Sequence, residues 1–450
     1  MPKKLFGTDG IRGCANIAPV TVETAVRLGR AIGHISRNGN HGHSRVIIGK
    51  DTRLSSDMLE MALASGICSV GVDALLAGHL PTPGIAFLTR NMRCSAGAVI
   101  SASHNPFEDN GIKFFSAAGY KLSDEVEDRI EALVESDGSV FEQPTGGGVG
   151  RTVSLGDSVG RYVTFLKSRI PENLSLGEFR IALDCANGAA YRAAPLAFHE
   201  LGADLRTISK TPDGLNINDN CGSMHPENLC SVVREFRADI GVALDGDADR
   251  AIFSDENGDV VDGDKIMGLV AKYLSEKSEL RKNTLVATVM SNMGLEVAMK
   301  SIGVELVRTQ VGDRFVVEKM LADGFNFGGE QSGHLIFLDH NTSGDGILSA
   351  IQVLRVMKES GKKLSELASL VRRFPQILEN VEVSCRKDIE SVPQIKAALD
   401  ECRRRLGDSG RILVRYSGTQ PLCRVMAEGE DEQEVRWAVD SLKEAIIRNL

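Results

Sequence analysis

Residues 240–250 run Ile240-Gly241-Val242-Ala243-Leu244-Asp245-Gly246-Asp247-Ala248-Asp249-Arg250. The first five residues are apolar or glycine, the reading of a short strand buried on both faces. The pattern then breaks at once. Three aspartates at alternate positions can converge on one side of a loop and offer oxygen ligands to a small hard cation such as Mg2+. An EF-hand calcium loop is nearly matched, because Glu256 stands at its twelfth position. Arg250, however, replaces the glycine needed for the sharp turn, and the flanks read as strands.

A second strand ends in comparable fashion. The apolar run 96–99 leads into Ile100-Ser101-Ala102-Ser103-His104-Asn105-Pro106, which places the Ser103 hydroxyl at a strand end. A serine there is by itself an ordinary turn residue. Its company raises its interest: Asn105-Pro106 and Asn110-Gly111 make turns, and Lys113 follows on a strand over 112–115, placed to move a proton or to neutralise a phosphate. His104 is adjacent, but neighbours on an extended chain point apart and no G-x-S-x-G elbow is present, so a Ser-His hydrolase pair is not expected. Electrostatics joins the two segments. A phosphoserine carries about −1.5 to −2 charge, and beside three aspartates it calls for a divalent cation. The reading is a serine that carries a phosphoryl group next to Mg2+, with Arg250 able to contact the same phosphate. A haloacid-dehalogenase-like phosphatase is the rival, since D-x-D after an apolar strand presents an aspartyl nucleophile. Asp249 then occupies a place where threonine or valine is expected.

Outward from these loops, strand-like and helix-like patterns alternate, the signature of an α/β protein. The first unit shows a strand over 46–48, a helix over 57–70 and a strand over 74–77. A further helix starts after Ser123, expected to cap free N–H groups, with Val126, Ile130, Leu133 and Val134 on one face. Gln143-Pro144-Thr145-Gly146-Gly147-Gly148 reads as a linker. A second unit has strands over 180–183 and 240–244 and a helix over 189–201. A third has helices over 264–274, 295–302 and 345–359 and strands over 285–289 and 304–308. The last 80 or so residues change character. Strands over 381–383, 412–414 and 423–426 alternate with helices over 392–406 and 432–447, a small α+β pattern. Expected boundaries are 1–150, 151–255, 256–370 and 371–450: three similar α/β domains with mixed sheets around a central cleft, plus a C-terminal α+β domain.

At 450 residues the chain exceeds what one hydrophobic core supports. With 42% hydrophobic and 25% charged residues it has the composition of a soluble globular protein. The net charge of −9 argues against a general nucleic-acid surface, and 5% aromatic residues against base-stacking platforms. Nine cysteines without a C-x-x-C pair read as small buried hydrophobes in a reducing compartment. No apolar stretch approaches a membrane span or a signal h-region, so a cytoplasmic protein without membrane partners is expected. A homodimer is compatible with the sequence.

Two glycine-rich loops complete the set. Gly328-Gly329-Glu330-Gln331-Ser332-Gly333-His334 offers a carboxylate and a hydroxyl spaced for adjacent sugar hydroxyls. Arg415-Tyr416-Ser417-Gly418-Thr419-Gln420-Pro421 offers an arginine, hydroxyls and N–H groups suited to a phosphate dianion. Taken in order, the segments 101–106, 245–250, 329–334 and 415–419 resemble the four signature loops of the α-D-phosphohexomutases, one per domain. The opening Leu5-Phe6-Gly7-Thr8-Asp9-Gly10-Ile11-Arg12-Gly13, Gln331 in the sugar loop, and Asn341-Thr342-Ser343-Gly344-Asp345-Gly346 resemble the amino-sugar branch of that family.

The resemblance implies an isomerase that interconverts glucosamine 6-phosphate and glucosamine 1-phosphate through a phosphoserine and a 1,6-bisphosphate, feeding cell-wall precursor synthesis. Mannose or glucose phosphates are the alternative substrates. Ser103 would be the phosphoserine, and its oxygen with Asp245, Asp247 and Asp249 would hold one Mg2+. Glu330 and Ser332 would grip sugar hydroxyls, while Arg415, Ser417, Gly418 and Thr419 would bind the distal phosphate on a lid domain. Lys113 and His334 would transfer protons, with Arg12 and Arg250 near the transferred phosphate. Two positions depart from the family pattern: Ala248 stands where glycine is usual, and Gln420 where glutamate is usual.

Overall fold

In the computed structural model, which describes residues 5–7, 9–37, 44–136, 138–171, 174–407, 410–416 and 422–450, the apolar runs singled out above lie inside mixed sheets. The first sheet orders its strands Ile11–Cys14, Asp109–Ser116, Ala96–Ile100, Arg45–Lys50, Asp73–His79 and Thr152–Ser154. The second runs Val260–Val261, Ala251–Ser254, Ile240–Leu244, Arg180–Asp184 and Asp204–Ile208. The third runs Glu305–Thr309, Thr284–Thr288, Phe327–Gly329 and Leu335–Phe337. Each has a parallel centre and an antiparallel edge, and the switch between them is the same in all three. A parallel strand (Ala96–Ile100, Ile240–Leu244 or Phe327–Gly329) turns back on itself as a hairpin with the strand that follows. The three candidate loops, after Ile100, Leu244 and Gly329, are those hairpin connections. The units therefore repeat in topology where the sequence shows no period. Ligand loops of open α/β sheets gather at the carboxyl ends of parallel strands, which is where all three lie.

The chain forms two units, Met1–Val289 with Val304–Ser369, and Met290–Gly303 with Leu370–Leu450. The three mixed sheets belong to the first. The second holds an antiparallel sheet ordered Gln376–Glu382, Leu422–Gly429, Gly410–Tyr416, covered by helices Pro393–Leu406 and Glu432–Asn449. Helix Glu432–Asn449 illustrates how the sequence builds this layer. Asp431 accepts from Gln433 N at 2.8 Å and caps the start. Val435, Ala438, Val439, Leu442 and Ile446 recur at helical spacing and are buried.

Three local readings change. Ser123 makes no side-chain cap hydrogen bond to the helix Asp124–Glu135; its hydroxyl serves the Glu125 carboxylate instead. The helix expected from 189 begins only at Ala193, because residues 186–189 wrap the aspartate loop. Ala186 and Asn187 are left-handed, and Ala189 N donates to Gly246 O at 2.8 Å. All nine cysteines are free thiols, yet Cys14 and Cys385 are exposed, so burial is not the rule for every one. Among the described residues no helix is long and apolar enough to cross a membrane.

Candidate active site

The aspartate loop gathers its carboxylates as the spacing predicts. One oxygen from each of Asp245, Asp247 and Asp249 lies within 4.8 Å of the others, and all three residues are buried. Asp245 is held at both oxygens, by Ser103 Oγ and by Arg250 N at 3.2 Å, whereas Asp247 and Asp249 each keep an oxygen without a hydrogen-bond partner among the described residues. Asp247 Oδ2 accepts from Thr82 Oγ1 at 2.6 Å and from Lys113 Nζ at 2.9 Å. Asp247 Oδ1 has no hydrogen-bond partner among the described residues, and Asp249 Oδ1 has only long contacts, 3.5 Å to His334 Nδ1 and 3.8 Å to Arg250 Nε. Buried carboxylate oxygens without partners are costly. Burial and then the charges of Asp249 and Asp247 push Asp245 well above the usual carboxylate range. A hard divalent cation relieves both strains, so the donor set fits Mg2+. Ala248 adopts φ +55°. A left-handed backbone costs an alanine about 1–2 kcal/mol and a glycine little. Ala248→Gly is expected to stabilise the protein by about 1 kcal/mol, read as a higher thermal-unfolding midpoint; a lowered midpoint refutes it.

The serine loop meets the aspartate loop directly. Ser103 Oγ donates to Asp245 Oδ2 at 2.6 Å. A Cβ on Gly246 would stand 2.5 Å from Ser103 O, so only glycine allows the two backbones this approach. Ser103 is not extended as the sequence suggested; it is left-handed, at φ +54°. The consequence is that Ser103 Oγ and His104 Nδ1 do face each other, 3.3 Å apart. A hydrolase pair still does not result, because Arg250 Nη1 occupies the same ring nitrogen at 2.8 Å. Burial, with Arg250 and Arg12 nearby, pushes His104 down to about 4 and keeps it neutral.

The left-handed turn is held by residues that the sequence gave no reason to single out. Arg53 is fully buried, and its Nη2 donates to Ser103 O and Asn105 O, both at 2.9 Å. Its Nη1 donates to Pro106 O, and its Nε to Asp51 Oδ2 at 2.8 Å. Asp51 Oδ2 also accepts from Ser101 Oγ at 2.6 Å, which in turn accepts from Ser103 N at 2.9 Å. Asn218, from the second sheet's unit, donates to Ser103 O at 2.9 Å. The nearest signal in the sequence was position: Asp51 and Arg53 follow the strand Arg45–Lys50, one strand over from the serine.

Lys113, on the strand Asp109–Ser116, is buried against Asp247 at 2.9 Å, Asp9 at 3.0 Å and Asp249 at 3.7 Å. Burial alone would lower its pKa, but these carboxylates raise it far above the usual lysine range. It is therefore an ammonium that neutralises charge. Arg12 pairs with Asp9. The Nε atoms of Arg12 and Arg250 are buried and have no hydrogen-bond partner among the described residues. The sugar-loop residues also arrive together: Glu330 Oε2 lies 3.5 Å from Ser332 Oγ, and Glu330 Oε1 accepts from Gly312 N at 3.1 Å. His334 closes that loop, and although burial opposes it, Asp249 and then Asp313 raise its imidazole to about 9.

Arg415 lies in the second unit, on the strand Gly410–Tyr416, directly opposite Arg424 on the paired strand. Partial burial and then the Arg424 charge lower its pKa. Two like charges across a sheet destabilise each other unless an anion joins them. Ser417, Gly418, Thr419 and Gln420 lie outside the described residues.

Four family profiles match in chain order. They are the phosphoglucomutase/phosphomannomutase alpha/beta/alpha domain I over 3–140, domain II over 160–258, domain III over 262–374, and the C-terminal domain over 378–445. The chain belongs to the phosphoglucomutase/phosphomannomutase family. Among its relatives in that family, the phosphoglucosamine mutase of Citrifermentans bemidjiense is 56% identical, over 97% of this chain and 96% of that one. The phosphoglucosamine mutase of Geotalea daltonii is 54% identical over 100% of this chain and 98% of that one. Solved structures share the fold. A phosphoglucomutase/phosphomannomutase family protein from Burkholderia thailandensis superposes with a TM-score of 0.80 at 24% identity, covering 98% of this chain and 97% of that one. The N-acetylphosphoglucosamine mutase of Aspergillus fumigatus, in complex with GlcNAc-6P and magnesium, gives 0.62 at 18% identity, covering 99% and 96%. These family members bear out the expected architecture of three mixed-sheet α/β domains and one α+β domain.

Proposed function

We propose that this family member interconverts glucosamine 6-phosphate and glucosamine 1-phosphate, with Ser103 as phosphoryl carrier and the 1,6-bisphosphate as intermediate. One observation carries the chemistry: the Ser103 hydroxyl stands 2.6 Å from Asp245 inside a cluster of three buried carboxylates. Full-length relatives named phosphoglucosamine mutase support the choice of sugar.

In this reading phospho-Ser103 gives its phosphoryl group to the sugar's 1-hydroxyl. The Ser103 P–O bond breaks, a P–O bond to the sugar forms, and the sugar hydroxyl's proton replaces the phosphoryl group on Ser103 Oγ. The sugar then turns over, its 6-phosphoryl returns to Ser103, and glucosamine 1-phosphate leaves. A Mg2+ ion held by Asp245, Asp247, Asp249 and the Ser103 oxygen would supply positive charge to the phosphoryl oxygens. Arg12 and Arg250 grip the transferring group with Nε–H groups that have no hydrogen-bond partner among the described residues. We assign the relay of that proton to Lys113 and His334, which as charged groups give a proton to the oxygen losing phosphorus and are refilled from the attacking hydroxyl; Lys113 also offsets the aspartate charges. Glu330 and Ser332 orient the sugar hydroxyls, and Arg415 beside Arg424 anchors the other phosphate. The chain divides, in the same proposal, into 1–150 for the serine, 151–255 for the metal, 256–370 for the sugar and 371–450 for the distal phosphate.

Turnover of glucosamine, glucose and mannose phosphates on one preparation tests the substrate. Glucosamine 6-phosphate is expected to give the highest kcat/KM; a mannose or glucose preference overturns the assignment. Phosphopeptide mapping tests the carrier, where label on Asp245 in place of Ser103 would favour a phosphatase.

A further inference from the structure

Six side chains beside the aspartate loop form a closed circuit of alternating charge. From Asp249 Oδ2 the path runs 3.7 Å to Lys113 Nζ, then 3.0 Å to Asp9 Oδ2. Asp9 Oδ1 lies 2.5 Å from Lys121 Nζ, which lies 2.6 Å from Asp313 Oδ2. Asp313 Oδ2 is 3.4 Å from His334 Nε2, and His334 Nδ1 is 3.5 Å from Asp249 Oδ1, where the circuit began. All three mixed sheets contribute. Asp249 follows a strand of the second, Lys113 lies on the first with Lys121 just beyond it, and His334 lies in the third sheet's hairpin with Asp313 heading the helix Asp313–Asp323.

Three of these residues, Asp249, Lys113 and His334, already have roles, and Asp9 pairs with Arg12 and Lys113; Asp313 and Lys121 have none. Neither contacts the metal loop or Ser103 in any hydrogen bond or ion pair of the structure. Their only route to the chemistry is through neighbours. Asp313 stands at Nε2 of the His334 ring and Asp249 at Nδ1, and the backbone closes another side. A Cβ on Gly344 would stand 2.3–2.6 Å from three His334 ring atoms. Lys121 separates two carboxylates, Asp9 and Asp313, that would otherwise repel, and Asp9 is in turn a partner of Lys113. Lys113, Asp249 and His334 are buried and Asp9, Lys121 and Asp313 half-buried, and ion pairs that give up much of their water add little net stability. Their return is orientation, holding side chains near a productive geometry.

We propose that Asp313 and Lys121 are positioning residues, which close this circuit and so fix His334 and Lys113 against the aspartate loop. The inference rests on the mutase reading above. It goes further by assigning function to two residues outside the four signature loops, and by making their effects interdependent. Removing either opens the same circuit, so removing both adds little.

The test uses the full-length, Mg2+-loaded enzyme with glucosamine 6-phosphate. Wild type and Ser103→Ala run beside Asp313→Asn, Lys121→Met, the double variant and Lys121→Arg. Each single loss is expected to lower kcat about tenfold, equivalent to about 1.4 kcal/mol, with KM shifted less than about twofold. The double variant should fall no further than the worse single, Lys121→Arg should recover most of the rate, and the double variant, which removes both charges of the Lys121–Asp313 pair, should unfold near the wild-type midpoint even where a single variant does not. The proposal is overturned if both singles keep kcat within about twofold of wild type, if their losses multiply, or if kcat falls only as the unfolding midpoint falls. Absence of turnover in wild type itself would sink the mutase reading and this inference with it, whereas normal wild-type turnover with indifferent variants sinks only this one.

Discussion

Replacing Ser103 by alanine will remove mutase turnover, by at least about three orders of magnitude or roughly 4 kcal/mol of barrier, while leaving the fold in place. The size follows from the kind of step lost. Without the hydroxyl no phosphoryl group can be stored on residue 103 between the two halves of the cycle. The small structural cost follows from the surroundings. The loop is held by Arg53, Asn218 and Ser101 through the main chain of residues 103–106, not through the Ser103 side chain. Alanine at the left-handed position is no worse than serine, and only the 2.6 Å bond to Asp245 and the 3.3 Å contact with His104 disappear. Coupled turnover, intact mass for the phosphoprotein, and thermal unfolding together check this. Normal turnover in the alanine variant refutes the carrier assignment.

Asp247→Asn is expected to lower kcat by at least about 10³-fold and to abolish the stabilisation that Mg2+ confers. Asparagine keeps the shape and can still accept the 2.6 Å hydrogen bond from Thr82, so the loop should survive. What it loses is the negative charge at Oδ1, the buried oxygen left without a protein partner. In the wild type, Mg2+ at a hundred times its Kd adds about 2.7 kcal/mol to folding stability, seen as an unfolding midpoint several degrees higher with Mg2+ than with a chelator. In the variant that difference should vanish at the same concentration. A Mg2+ increment equal to that of wild type means that Asp247 is not a ligand, and the aspartate cluster then needs another explanation.

The features legible in the sequence are local ones. Runs such as Ile240–Leu244 and Ala96–Ile100 declare themselves because strands buried on both faces must be apolar at every position. The aspartate loop is legible because its ligands lie within five residues of one another. Only their alternation is needed for the carboxylates to meet. The C-terminal unit was readable for a similar reason: its helices are amphipathic, and Glu432–Asn449 carries its own cap at Asp431.

The misreadings came from contacts between residues distant in the chain. His104 was set aside as pointing away from Ser103 on the assumption of extended backbone. The left-handed turn that brings them together is imposed by Arg53, 50 residues earlier, and Asn218, 115 residues later. The late start of the helix Ala193–Glu200 has the same origin, since Ala189 gives its N–H to Gly246. Asp313 carries no local mark at all. It matters because Lys121, 192 residues away, and His334 face it.

By itself, then, the sequence determined which strands are buried, where each ends, and which polar groups wait at those ends, because hydrophobic periodicity and turn chemistry act over a few residues. Tertiary structure alone decided the hand of the Ser103 turn, which carboxylate oxygens are left without partners, and how the charges of three sheets close on one another. Those outcomes depend on distance through space and on burial, and neither is a property of neighbouring residues along a chain.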